Sequence, residues 1–135
     1  MIQRKHFYEI IRFGVSGVAG FIVDAGIVVL FTTVLSIDPI MAQAVAFTVA
    51  VTVTWLINRH WTFAEHASNR WAHEWTRYIA ANSVGAAVNN GVYIILVFTV
   101  SLFSKQPVLA VAAGSLVGMS FNFASSKLIV FKQLK

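Results

Sequence analysis

The stretch FGVSGVAGFIVDAGIVVLFTTVLSI, Phe13 to Ile37, is apolar or small at every position except Asp24. At about 1.5 Å rise per residue, a helix of that length reaches about 37 Å, enough to cross a hydrocarbon core of about 30 Å with some tilt. The turn-like Ile37-Asp38-Pro39 ends it, and Ile40 to Ile57 makes a second span. Tyr78 to Phe103 makes a third. After the polar link Ser104 to Pro107, Val108 to about Val130 makes a fourth. Arg4 and Lys5 resemble the start of a secretory signal, but the apolar run is too long for one and three more spans follow, so the first helix is expected to be retained. The expected fold is all-α and integral to a membrane.

Composition agrees. The chain has 135 residues, 58% of them hydrophobic and 11% charged, with a mean hydropathy of +0.74. A soluble domain would be about a quarter charged. Cysteine is absent, which excludes disulfides and thiolate chemistry. The net charge of +5 does not form a nucleic-acid surface, because the basic residues sit at the ends of apolar segments. Arg4, Lys5, Arg12, Arg59, Arg70, Arg77, Lys127, Lys132 and Lys135 fall on one side of the four-span arrangement, and Lys105 on the other. That asymmetry places both termini and the central loop in the cytoplasm, in the inner membrane of the cell. The central loop, Ala64 to Thr76, carries Trp71 and Trp75 on one helical face. With Trp61 and Phe63 they read as interfacial aromatics, and a short helix lying in the headgroup layer would suit the loop.

The sequence also repeats. A slide of 65 positions sets Arg12 on Arg77, Phe13 on Tyr78, Gly20 on Gly85, and Asp24-Ala25-Gly26 on Asn89-Asn90-Gly91. A slide of 68 sets Arg59 on Lys127 and Phe63 on Phe131. Each half holds two spans, so residues 1–66 and 67–135 are expected to be parallel two-helix repeats related by an axis along the membrane normal.

Polar residues within the spans are the candidate site. Asp24 lies about 18 Å beyond Arg12 along the helix, near mid-membrane, where a carboxylate costs about 2.5–3.5 kcal/mol. It reads either as helix glue or as a group facing a cavity. Asn82, Gly85 and Asn89 share one face of the third span, with Asn90 beside them; Gln43 and Asn122 are polar positions in the second and fourth. Each amide suits interhelical hydrogen bonding or ligand contact. The glycines of GVSGVAG, Gly14 to Gly20, read as helix-packing positions. Arg12, Arg59, Arg77 and Lys127 lie at the cytoplasmic boundary, where such residues snorkel and signal topology. Gathered by a bundle, they would also form a rim for a phosphate or diphosphate headgroup.

Taken together, RFGVSGVAGFIVDAG, INRHWTF, RYIAANSVGAAVNNG and SFNFASSKLIVF resemble the GtrA-like family of small four-span membrane proteins over almost the whole chain. The most specific part is the pattern of Asn58, Arg59, Trp61 and Phe63. The resemblance implies a role in cell-envelope glycan assembly: moving polyprenyl-phosphate-linked sugars across the cytoplasmic membrane, or assisting the glycosyltransferases that use them. It carries function onto Arg12, Asp24, Asn58, Arg59, Trp61, Phe63, Arg77, Asn82, Asn89 and Asn122. Ser126 and Lys127 stand where a second asparagine-arginine pair would be expected, so the rim should be lopsided.

The expected function is therefore flipping of a lipid-linked sugar, without a cofactor. No nucleotide-binding loop is present in the sequence, so direct ATP drive does not come from this chain. A non-transporting partner that recruits or stabilises a membrane glycosyltransferase is the main alternative. A cation exporter using Asp24 is a third reading, which four cations on one face disfavour. His60, His66 and His73 near Glu65 and Glu74 make no metal pair at helical spacing, and no catalytic constellation stands out. Four helices enclose little volume, so a homodimer is expected.

Overall fold

The structure, a computed structural model, describes residues 2–132. Lys135, counted above among the basic residues, lies outside them. The first helix, α1 (Ile2–Val29), passes without a break into a π-helical turn at Leu30–Val34. It starts well before Phe13 because nothing in IQRKHFYEIIR opposes a helix. Ser36, at φ 53°, takes the left-handed conformation where the chain reverses. Asp38 then starts α2 (Pro39–Ile57): its Oδ1 accepts the N–H groups of Ile40 at 2.9 Å and Met41 at 3.2 Å. Proline suits the first helical position, where no N–H is needed. A second π turn follows at Asn58–Thr62.

Between the halves only a 3₁₀ turn at Ala64–His66 and the non-helical residues 67–70 intervene. Here the structure corrects the expected loop. Trp71 to Thr76 is the start of α3 (Trp71–Thr99), not a separate helix in the headgroup layer. Glu74 in its first turn favours helix initiation at that point. At the far end the third span stops at Thr99 rather than Phe103, because Val100 is extended. The short α4 (Ser101–Lys105) takes the last residues of the expected third span and the first half of the expected polar link. Next comes α5 (Pro107–Ser125), ending in a third π turn at Ser126–Val130.

Four helical segments, Ile2–Val34, Pro39–Thr62, Trp71–Thr99 and Pro107–Val130, are long and apolar enough to cross a membrane. The protein is an all-α, multi-pass membrane protein. Exposed apolar side chains such as Phe21, Ile22, Phe98 and Leu116 cover its outside, as a lipid environment requires.

Small residues bring the helices of each hairpin together. Ser16, Gly20, Ala42, Ala46 and Ala50 are buried between α1 and α2; Gly85, Ala110, Gly114 and Gly118 are buried between α3 and α5. A Cβ on Gly20 would stand 2.4 Å from the Thr54 methyl, and one on Gly85 1.8 Å from Asn122 Oδ1. The expectation for GVSGVAG holds at Gly20 alone among its glycines, for Gly14 and Gly17 have nothing within 4 Å of that position. The two hairpins meet in a core of Phe13, Val51, Trp55, Phe63, Tyr78, Val130 and Phe131, at the end carrying the boundary cations. Phe63 and Phe131 stack there at 5.0 Å.

Candidate functional site

Arg59 shows how this basic end is built. The π turn brings the adjacent Asn58 and Arg59 both to the interior, 1% and 6% exposed. Arg59 donates from Nη1 to Glu74 Oε1 and from Nη2 to the Ser68 carbonyl, each at 2.6 Å. Its guanidinium lies over the rings of Trp71, at 4.2 Å, and Trp55, at 5.8 Å. Glu74 is saturated in turn, accepting also from Trp55 Nε1 at 3.0 Å and the Ser68 N–H at 2.6 Å. Asn58 donates to Tyr78 Oη at 2.8 Å and accepts from Thr62 Oγ1 at 2.7 Å. Neither residue of the pair is open to a headgroup. Of the residues expected at the rim, Asn58 and Arg59 are thus engaged within the protein: charge inside low-dielectric protein requires a partner, and the fold supplies one.

Lys127 has a related arrangement. It is ion-paired with Glu9, stands 2.6 Å from His6 Nδ1 and lies over the Phe123 ring. Glu9 and Glu74 are 65 positions apart, and Arg59 and Lys127 are 68 apart, the two offsets at which the sequence matches itself. The two pairs cross between hairpins, from the π turn after α2 to α3 and from the π turn after α5 to α1. Lys127 is more open, with 27% of its side chain exposed against 7% for Arg59.

Arg12 and Arg77 do not complete a four-cation ring. Arg12 donates to the Trp61 carbonyl at 3.2 Å, stacks on that indole and lines a cleft of about 260 Å³. Arg77 lines a different cleft, of about 480 Å³, beyond the linker. Of the expected interfacial aromatics, Trp61 and Trp71 remain exposed. Phe63 belongs to the core instead, and Trp75 is partly buried, donating to Thr52 Oγ1 at 3.0 Å. Their position at helix starts and ends made them look alike; the packing between hairpins separates them.

Deeper in the bundle, Asn82, Asn89 and Asn122 are brought together. They line a groove of about 460 Å³ with Ser16, Thr54, Tyr78, Ser115 and the edges of Gly14, Gly17, Gly85 and Gly118. Asn82 Nδ2 donates back to the Tyr78 carbonyl at 2.9 Å. Asn122 Oδ1 is buried against Gly85 without a hydrogen-bond partner among the described residues. Asp24 stands outside this groove, which along α1 ends at Phe21. Its Oδ1 accepts from Gln43 at 3.2 Å, an α1–α2 bond of the helix-glue kind.

A family model for the GtrA/DPMS transmembrane domain matches residues 12–131. The chain belongs to that family. Among curated proteins none matches it closely enough to count as a relative. The match covers the first span from Arg12 onward, the other three spans of this GtrA/DPMS domain, the groove and both crossed ion pairs except Glu9. Sequence reasoning had missed Glu9, Glu74, Tyr78, Trp55, Ser16, Thr54 and Ser115. The acids carried a usable signal: the slide that aligns Arg12 with Arg77 also aligns Glu9 with Glu74.

Proposed function

We propose that this GtrA/DPMS domain moves a polyprenyl-phosphate-linked sugar across the cytoplasmic membrane, the basic end facing the cytoplasm. The observation that carries this reading is the groove of about 460 Å³ inside an apolar bundle, walled by Asn82, Asn89 and Asn122. A sugar leaving water loses hydrogen bonds, each costing about 1–3 kcal/mol if not replaced. Amide and hydroxyl groups along the groove would replace them. The isoprenoid tail stays in lipid against the exposed apolar side chains. In this reading the protein is a transporter rather than an enzyme. We further infer that the hairpins are parallel repeats. The crossed ion pairs at the two offsets and the matched π turns support that inference.

Reconstitution tests the function. Vesicles containing the protein are expected to exchange a labelled polyprenyl-phosphate sugar between leaflets faster than protein-free vesicles. Replacing Asn89 and Asn122 by leucine should slow that exchange about tenfold or more, the loss of one or two hydrogen bonds. Unchanged exchange in the double variant would remove the groove from the mechanism. No acceleration by the wild type would favour a role in recruiting a membrane glycosyltransferase. A homodimer remains part of the proposal, and the particle mass in mild detergent checks it.

A further inference from the structure

The two clefts at the basic end form a natural comparison. From the start of α3 and the residue before it, the larger one takes Arg70, His73, Glu74 and Arg77. From α1, the smaller one takes Lys5, Tyr8, Glu9 and Arg12. These are the same positions displaced by 65 residues. Their state differs. In the α1 cleft Lys5 is held by Glu65 at 2.6 Å, and Arg12 by the Trp61 carbonyl and ring. In the α3 cleft, among the described residues, Arg70, His73, Arg77 and Lys132 have no side-chain hydrogen bond or ion pair. Glu74, the one acid lining it, has its oxygens engaged by Arg59, Trp55 and the Ser68 N–H. The first turn of α3 opens there without a side-chain cap.

Resting on the translocation reading, we propose that the α3 cleft is the phosphate site, and that the α1 cleft is its self-occupied counterpart. Two arginines supply planar donor forks, which match phosphate oxygens better than a point charge does. Lys132 and His73 add donors at the mouth. The start of α3, which lacks a side-chain cap, borders the cleft, and helix starts favour anions. The ligand is the phosphate of a prenyl lipid. Free phosphate shares the chemistry without the tail, and the test separates the two.

The test is binding of farnesyl phosphate to the full-length protein in mild detergent at fixed salt, with inorganic phosphate as competitor. Replacing Arg70 and Arg77 together by glutamine should weaken binding about tenfold or more, as loss of charge-assisted bonds does. Lys5→Gln, in the α1 cleft, should stay within about twofold of wild type. If the double variant does not fold, Lys132→Gln, an exposed change, should still weaken binding measurably. Wild-type affinity in the α3-cleft variants, or an equal loss in Lys5→Gln, overturns the site. Inorganic phosphate binding without farnesyl phosphate binding overturns the lipid assignment. Cleft-dependent binding in a protein that exchanges no lipid sinks translocation and leaves the site standing. Exchange that is indifferent to the double variant does the reverse.

Discussion

A cation beside a membrane is free to hold a phosphate only if the protein does not hold it first. Arg59 is held on every side, by Glu74, the Ser68 carbonyl and two indoles. Removing one partner of such a buried pair strands the other charge, at a cost of about 3–5 kcal/mol. Glu74→Gln is therefore expected to destabilise the protein by about 3 kcal/mol or more in unfolding measurements in detergent. Adding Arg59→Met to that variant should cost much less than it does in wild type, because the two changes share one interaction. Simple additivity would show that the pair is not coupled. Glu9→Gln should cost nearer about 1 kcal/mol, since Lys127 keeps access to water. The sequence showed Arg59 at a membrane edge but not its occupation. Its partner lies across a linker that was expected to be loop through Thr76.

At the scale of elements, four spans were readable because hydrophobic length is a strong signal, whereas their ends were set by local bonds that hydropathy does not report. The π turns at Asn58–Thr62 and Ser126–Val130 could not be read from periodicity, since five residues are too few to show a changed period. They decide which side of a boundary cation faces inward. The linker between hairpins is tied to α1 by Lys5 and Glu65, and the hydrogen bond and charge of Lys5 hold the Glu65 carboxyl below the usual carboxylate range. A folded value lowered in this way stabilises the tie above the ordinary carboxylate pKa and releases it as pH falls through the folded value. Hydrogen exchange at Ala64 to His66 should therefore be insensitive to pH near neutrality, after correction for intrinsic rates, and quicken under acid. Glu65→Gln should abolish that acid step. A step that survives the substitution would assign it to another group.

Over the whole molecule, the basic end gathers the ion pairs, the aromatic core and both clefts, and the far end carries Lys105 alone among the described basic residues. The charge distribution predicts that the basic end is cytoplasmic. Because the chain has no cysteine, Lys105→Cys creates a unique label. In intact cells stripped of their outer wall, an impermeant thiol reagent should modify it from outside. Protection of that thiol until the membrane is opened would invert the topology. Asn82 and Asn89 are legible as polar positions at helical spacing and Asn122 as a polar position in another span, and the structure gathers all three. Asp24 was equally conspicuous and lies elsewhere, because hydropathy reports depth in the membrane but not the direction in which a residue faces.

The crossed ion pairs have a consequence for ancestry. Each hairpin carries one acid near its start and one base near its end: Glu9 with Arg59, Glu74 with Lys127. A hairpin of this kind is self-complementary, since two identical copies related by a two-fold axis would satisfy both bonds at once. On the repeat reading proposed above, the present chain would be such a dimer joined into one polypeptide. The two halves differ: one ion pair lies behind two tryptophans while the other is partly exposed, and Ser126, which matches Asn58, has a buried hydroxyl with no partner among the described residues. Tyr78, whose hydroxyl meets Asn58, is matched on that side by Phe13, which has none.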